Sequence, residues 1–119
     1  MRPKTITQIK GKTLWTPVLV PSQKTLLYYG LSYARWRKML DSCKGLCEIC
    51  ERIPQSGRLV IDHEHVPGWK KLNPAKRVLY VRGLLCSTCN HYILSRFATV
   101  EKLQSAASFL IKYLERKPK

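Results

Sequence analysis

The sequence contains few acidic residues and no long apolar run. Its 119 residues include 7 Asp and Glu against 22 Lys and Arg, and the formal net charge is +15. The longest stretch without Lys, Arg, Asp or Glu covers residues 83–95, which is too short to span a bilayer. The first residues also lack the apolar segment of a secretory signal. We therefore expect a cytoplasmic protein without a membrane partner, whose five cysteines are metal ligands or buried thiols rather than disulfides.

The excess of positive charge indicates an anionic partner, and a nucleic-acid backbone is favoured over a membrane surface. Residues 1–40 contain eight basic residues and no acidic one. The first part of this segment, up to Ser22, contains Pro3, Pro17 and Pro21 with little hydrophobic periodicity, which predicts an extended chain. The sequence is thus divided into a basic N-terminal arm, residues 1–24, and one domain, residues 25–119.

The domain is predicted to belong to the α+β class. Tyr33, Trp36, Leu40 and Cys43 recur every three or four residues, which predicts an amphipathic helix from residue 32 to about residue 45. The other predicted elements are strands at residues 58–61 and 78–85, an exposed loop at residues 66–77, and helices at residues 87–97 and 99–115.

The last predicted helix carries a single apolar stripe on an otherwise polar surface. Its members are Val100, Leu103, Ala107, Leu110 and Leu114. Most amphipathic helices cover a core with such a stripe, so packing against the core is the expected role. Contact with a second copy in a homodimer is the alternative.

Two C-x-x-C pairs predict a structural zinc site formed by Cys47, Cys50, Cys86 and Cys89. The 35 residues between the pairs leave room for two strands and a loop. A redox motif would need one such pair in a βαβ context, and the second pair argues against it. Cys43 lies on the apolar side of its helix and is expected to be a buried thiol rather than a ligand. Four thiolates saturate zinc, so any chemistry must come from other residues.

The densest polar cluster is the run Asp62-His63-Glu64-His65, which directly follows a predicted strand. It contains all but one of the histidines of the chain. Imidazole is the side chain best suited to accept a proton near neutral pH. A single histidine there would indicate only a polar turn, but four such residues in succession indicate a functional site.

Three segments together resemble the recombination endonuclease VII branch of the HNH, or His-Me finger, nucleases: C-E-I-C, I-D-H-E-H and V-R-G-L-L-C-S-T-C-N. The resemblance covers residues 32–115 and does not include the arm. It implies a small zinc-stapled ββα-metal (His-Me finger) domain flanked by helices, and a metal-dependent DNA endonuclease of phage or mobile-element origin.

The resemblance also implies roles for individual residues. His63 would be the general base that activates water for attack on a DNA phosphodiester, leaving 5′-phosphate ends. Asp62 and Asn90 would hold a catalytic Mg²⁺ or Mn²⁺, for which carboxylate and amide oxygens are suitable ligands. His65 would hydrogen-bond the scissile phosphate. Strict strand alternation would point Asp62 and His63 to opposite faces, so we expect the chain to bend near His63.

The sequence departs from the family in a cationic insertion, residues 66–80. Two roles are open for Trp69, which either stacks on an unpaired base or packs onto the core. No role is assigned to His91. The residues predicted to bind nucleic acid are Lys70, Lys71, Lys76, Arg77 and Arg82.

The form of DNA that is cut cannot be read from these residues. Resolution of branched or junction DNA needs two active sites and hence a homodimer. One alternative is a monomeric nicking or homing-type HNH nuclease. The other is a non-catalytic zinc module that binds DNA or RNA through its basic surface.

Overall fold

The computed structural model describes residues 4–5, 18–95 and 97–118. Four helices and two small antiparallel sheets make up this part of the chain. In the first sheet β1 (Lys4–Thr5) pairs with β2 (Val18–Leu19), and in the second β3 (Val60–His63) pairs with β4 (Val81–Leu85). The helices are α1 (Gln23–Tyr29), α2 (Tyr33–Ser42), α3 (Pro74–Arg77) and α4 (Val100–Arg116). This confirms the mixed helix and sheet class.

Hydroxyl side chains fix the starts of three helices. Ser22 accepts the backbone N–H of Thr25 at 3.2 Å and begins α1. Ser32 caps α2 and Thr99 caps α4 in the same way. Because such caps satisfy amide groups that have no partner within the helix, they set the first residue of each helix. The predicted helices from residues 32 and 99 are confirmed.

The core lies between α1, α2 and the β3–β4 hairpin. Trp36 and Leu40 of α2 meet Leu84 of β4, and all three are at most 1% exposed. Val18 and Val20 also belong to this core, although they fall in the segment predicted to be an arm. Much of the rest of that segment lies outside the described residues, and the domain boundary at residue 24 stays a prediction.

The β3–β4 hairpin contains a register irregularity. Asp62 lies opposite Gly83, whereas His63 lies opposite Val81, so Arg82 is skipped in the pairing. A bulge of this kind turns neighbouring side chains away from strict alternation. The extra residue lies in β4 opposite the Asp62–His63 step, and the bend of β3 expected near His63 stays a prediction. Both strands begin later than predicted. β3 covers Val60–His63 instead of residues 58–61, and β4 begins at Val81 because residues Val78–Tyr80 form a 3₁₀ turn.

Much of the insertion, predicted as an exposed loop, is folded. It contains a 3₁₀ turn at Trp69–Lys71 and then α3, whose cap is Asn73. Gly30, which ends α1 with φ of 71°, lies against the backbone carbonyl of Pro74, and any Cβ at residue 30 would overlap that oxygen. Residue 30 must therefore be glycine for two reasons. It adopts the left-handed conformation, and it allows the close contact between α1 and α3.

The segment after β4 differs from its prediction. Instead of an α-helix to residue 97, a helical turn at Ser87 and Thr88 widens into a π-helix, Cys89–Ile93. The prediction of α4 was correct in extent but wrong in packing, because every described side chain of this helix is exposed. The hairpin, α1 and α2 already close the core, so among the described residues none covers the apolar stripe.

Candidate metal centre and active site

The four cysteines of the two C-x-x-C pairs converge on one point. Their sulfur atoms all lie within 4.8 Å of one another, and the Cys50 and Cys86 sulfurs are 3.9 Å apart. Zinc–sulfur bonds of about 2.3 Å place tetrahedral sulfur ligands about 3.8 Å apart. The geometry therefore fits a tetrahedral Cys₄ zinc site. Among the described residues, this is the one cluster of His, Cys, Asp and Glu ligands that could hold a metal.

Two backbone hydrogen bonds stabilise the sulfur positions. The N–H of Ile49 donates to the Cys47 sulfur, and the N–H of Cys89 donates to the Cys86 sulfur, each at 3.4 Å. Burial and the neighbouring sulfurs raise the pKa of the Cys89 thiol to about 12. Four thiolates can therefore coexist here only when a cation offsets their charge, which zinc would do.

The first knuckle, residues 47–50, is bonded directly to β4. Glu48 accepts the N–H of Leu84 through its side chain at 2.6 Å, and its own N–H donates to the Leu84 carbonyl at 3.1 Å. Any Cβ at Gly83 would overlap the Glu48 carboxylate. Sequence reasoning did not identify Glu48. The sequence shows a glutamate inside C-E-I-C and a glycine inside R-G-L-L. Their contact could not be predicted, because it forms only when the two segments meet in the folded protein.

Asp62, the predicted metal ligand, is buried and paired with Arg82. Its side chain is 2% exposed. The Arg82 guanidinium donates from Nε to Oδ2 at 2.7 Å and from Nη2 to Oδ1 at 3.1 Å. Arg82 was predicted to bind nucleic acid, and here it contacts a protein carboxylate.

His63, the predicted general base, lies half-buried among aromatic rings. Its imidazole stacks on Trp69 with centroids 4.0 Å apart and planes 19° apart, and His65 lies on it at 5.1 Å. Tyr29 contacts it at 5.7 Å. Burial lowers the pKa of His63, and the neighbouring His65 lowers it further. Both effects favour the neutral ring, the form that can accept a proton.

Trp69 is fixed against His63 by hydrogen bonds from the insertion and α1. The indole N–H donates to the Tyr28 hydroxyl at 2.9 Å. Arg77 lies 4.2 Å from the Tyr28 ring centre and donates to the carbonyls of Tyr28, Lys70 and Trp69. Of the two roles left open for Trp69, packing onto the protein is the one observed. Arg77, predicted to grip phosphate, stabilises the insertion in this structure.

The surface beside His63 is a shallow, cationic depression. It has a volume of about 530 Å³, and its lining residues are His63, His65, Val66, Gly68, Trp69, Lys70 and Lys71. Two lysines and two histidines therefore border a depression that is open to solvent and mostly apolar in its lining. Lys76 is also exposed on the insertion.

Asn90 and His91 follow the last cysteine in the π-helix. The backbone N–H of Asn90 donates to the Cys86 carbonyl at 3.0 Å, which ties its position to the second knuckle, residues 86–89. π-Helical turns occur often at functional sites. The approach of the Asn90 amide to Asp62 stays a prediction. His91 is exposed and lies against Tyr92 with ring centres 4.6 Å apart.

Comparison with known proteins identifies the family. The family model described as recombination endonuclease VII matches residues 22–116. The chain belongs to the recombination endonuclease VII family. This confirms the resemblance found in the sequence.

Two relatives are phage proteins, each called Gene 59 protein. The one from Mycobacterium phage D29 is 34% identical over 91 residues, which cover 75% of this chain and 48% of the relative. The one from Mycobacterium phage L5 is 33% identical over 72 residues, 60% of this chain and 37% of the relative. The chain thus spans about half the length of these relatives or less. No solved structure matches it significantly. Within the described residues, no helix has the length and apolar character needed to cross a membrane.

Removal of the metal should unfold the domain. Structural Cys₄ zinc contributes about 10 to 16 kcal/mol of apparent free energy, which exceeds the stability of most small domains. We expect chelation, or a Cys47→Ser substitution, to abolish the cooperative thermal transition measured by circular dichroism. Cys43→Ser is the matched control, since the Cys43 thiol donates to the Leu40 carbonyl and lies outside the cluster. Equal loss of bound zinc in both variants would contradict the assignment.

Exposure of the His63 ring should raise its pKa. Trp69→Ala removes the indole that buries one face of the imidazole, so the charged form becomes easier to hydrate. We expect an NMR titration to give a pKa below the ordinary histidine value in the wild type and a higher one in Trp69→Ala. Leu79→Ala, in the same insertion but with a side chain that is mostly exposed, should leave the pKa unchanged. A lower pKa in Trp69→Ala would disprove the role given to burial.

Proposed function

We propose that this chain is a metal-dependent DNA endonuclease of the HNH (His-Me finger) type. In this proposal, β3, β4 and the helical turn after the second knuckle form the ββα-metal unit. The main support is the position of His63, half-buried at the end of β3 and beside the cationic depression. A base biased toward its neutral form next to an anion-attracting surface suits attack of water on a phosphodiester.

In the proposed mechanism His63 accepts a proton from the attacking water. The stacked Trp69 restricts the orientation of the imidazole and excludes solvent from one of its faces. His65, which is exposed beside it, would hydrogen-bond the scissile phosphate. As the family resemblance implies, in-line attack would leave a 5′-phosphate end.

Asp62 and Asn90 are the proposed ligands of a Mg²⁺ or Mn²⁺ ion. Their carboxylate and amide oxygens have the hard donor character that these ions prefer. Bound there, the ion would neutralise charge that develops on the phosphate and on the leaving 3′ oxygen. Both Asp62 oxygens accept hydrogen bonds from Arg82. An ion that binds Asp62 would therefore have to displace at least one of these hydrogen bonds.

DNA would approach across the insertion. Lys70 and Lys71 line the depression and Lys76 is exposed nearby, so their ammonium groups can contact phosphates on either side of the scissile bond. In the absence of DNA the donors of Arg77 and Arg82 are bonded within the protein, so these residues then contribute mainly positive potential. The relatives are phage proteins, so we place the activity in the cytoplasm of a host cell.

Loss of the His63 imidazole should nearly abolish cleavage. General-base catalysis typically contributes a factor of about 10² to 10⁴. We expect His63→Ala to lower the rate of supercoiled plasmid cleavage with Mg²⁺ or Mn²⁺ by that factor, and His91→Ala to leave it nearly unchanged. Equal rates for wild type and His63→Ala would exclude His63 as the base. A wild-type protein that binds the plasmid and never cuts it would instead be a non-catalytic zinc module.

The exposed apolar face of α4 supports a homodimer, and we include this in the proposal. Leu110 is 57% exposed, and Val100 and Leu114 of the same stripe are more exposed still. A patch of this extent on a helix of 17 residues is costly in water unless another surface covers it. A dimer would also provide the two active sites that cleavage of both strands of branched DNA requires.

A charge on the apolar face of α4 should dissociate the dimer. Leu110→Glu would bury a carboxylate between two helices, which is unfavourable without a partner. We expect the wild type to have twice the chain mass by light scattering after gel filtration, and Leu110→Glu to have the mass of one chain. Ser105→Glu adds the same charge on the opposite side of α4 and should stay dimeric. A monomeric wild type would favour the nicking or homing-type alternative.

A further inference from the structure

The Asp62–Arg82 ion pair is asymmetric in its exposure. The carboxylate is 2% exposed and cannot turn toward solvent, whereas the Arg82 side chain is 42% exposed. Both carboxylate oxygens are engaged, at 2.7 Å and 3.1 Å. The carboxylate is therefore fixed, and the guanidinium is the partner that can leave.

The backbone on both sides of the pair is also fixed. Asp62 is paired with Gly83, and the next residue, Leu84, is bonded twice to Glu48 of the first knuckle. Arg82 is the residue that the register irregularity leaves out of the pairing. Its Cα is thus held beside the Asp62–His63 step, while its long side chain can reach either the carboxylate or a group outside the protein.

A divalent ion and the guanidinium cannot both occupy this carboxylate at low energy. Two positive groups bound to the same pair of oxygens would lie a few ångströms apart and repel each other. A buried carboxylate with neither of them would be costly as well. Two arrangements are therefore stable. In one, the Asp62 carboxylate is paired with Arg82; in the other, the carboxylate binds the ion and Arg82 is paired with another anion.

We propose that Arg82 competes with the catalytic ion for Asp62 in the free protein and transfers to a DNA phosphate when substrate binds. The inference rests on the proposed nuclease function and adds to it a coupling between substrate and metal. The free protein then binds the ion weakly, and DNA strengthens ion binding by removing the competitor. Because such coupling is reciprocal, the ion strengthens DNA binding by the same factor. Arg82 is a positioning residue in this scheme.

Metal affinity measured without turnover tests the competition. Mn²⁺ is titrated calorimetrically into two zinc-loaded proteins, each with and without duplex DNA. The parent carries His63→Ala alone, and the variant carries His63→Ala together with Arg82→Gln. We expect Arg82→Gln to bind Mn²⁺ on the order of tenfold more tightly than its parent in the absence of DNA. DNA should tighten Mn²⁺ binding by the parent and change that of Arg82→Gln much less. Arg58→Gln, an equal loss of charge at an exposed residue before β3, should behave as the parent does.

Thermal unfolding separates competition from a purely structural role. Arg82→Gln leaves Asp62 without its ionic partner, so the melting temperature should fall in the absence of Mn²⁺ and recover when Mn²⁺ is added. The double substitution with Asp62→Asn should show no such recovery. A fall without recovery would mean that Arg82 only stabilises the fold, and would overturn the proposal.

The outcomes for the inference and for the nuclease function are distinct. Plasmid cleavage by the wild type together with equal Mn²⁺ affinities in parent and Arg82→Gln would overturn the competition and retain the nuclease. Tighter Mn²⁺ binding in Arg82→Gln without any wild-type cleavage would support the competition and overturn the nuclease.

Discussion

The convergence of four cysteine sulfurs is the constraint on which the rest of this small domain depends. It brings two segments 35 residues apart in sequence to within 4.8 Å. The first knuckle then carries Glu48 to the backbone of β4, and the second begins the turn that holds Asn90. A core this small has little apolar area with which to fix strand against helix, so a metal bound by the four cysteines would be the main source of rigidity. The precision of any chemistry at Asp62 and His63 would then depend on that cross-link.

Each residue in the R-G-L-L segment has a separate physical task. Arg82 neutralises the buried Asp62 carboxylate, Gly83 leaves space for the Glu48 side chain, and Leu84 and Leu85 fill the core. The segment therefore joins the cysteine cluster, the core and β3 in four successive positions. Gly83, Leu84 and Leu85 are all buried, so burial does not alternate along this strand.

The insertion packs against His63 and α1. Arg77 uses its guanidinium to hold three carbonyls, and Trp69, bonded to Tyr28, covers one face of His63. Among the positively charged residues of the insertion, Arg77 bonds to carbonyls within the protein, whereas the lysines are exposed. A charge count treats both kinds alike, and for that reason the sequence analysis assigned Arg77 to nucleic-acid binding together with the lysines.

Local pattern was enough to predict the cluster of four cysteines and the helices that begin near residues 32 and 99. These features depend on spacing along the chain, which the sequence contains directly. Tertiary structure alone decided that Arg82 pairs with Asp62 and that Glu48 accepts a hydrogen bond from the backbone of β4. It also decided that Val18 and Val20 belong to the core and that, among the described residues, none covers the apolar face of α4. Each of these is a contact, or the lack of one, between segments distant in sequence, and periodicity carries no information about which distant surface a side chain meets.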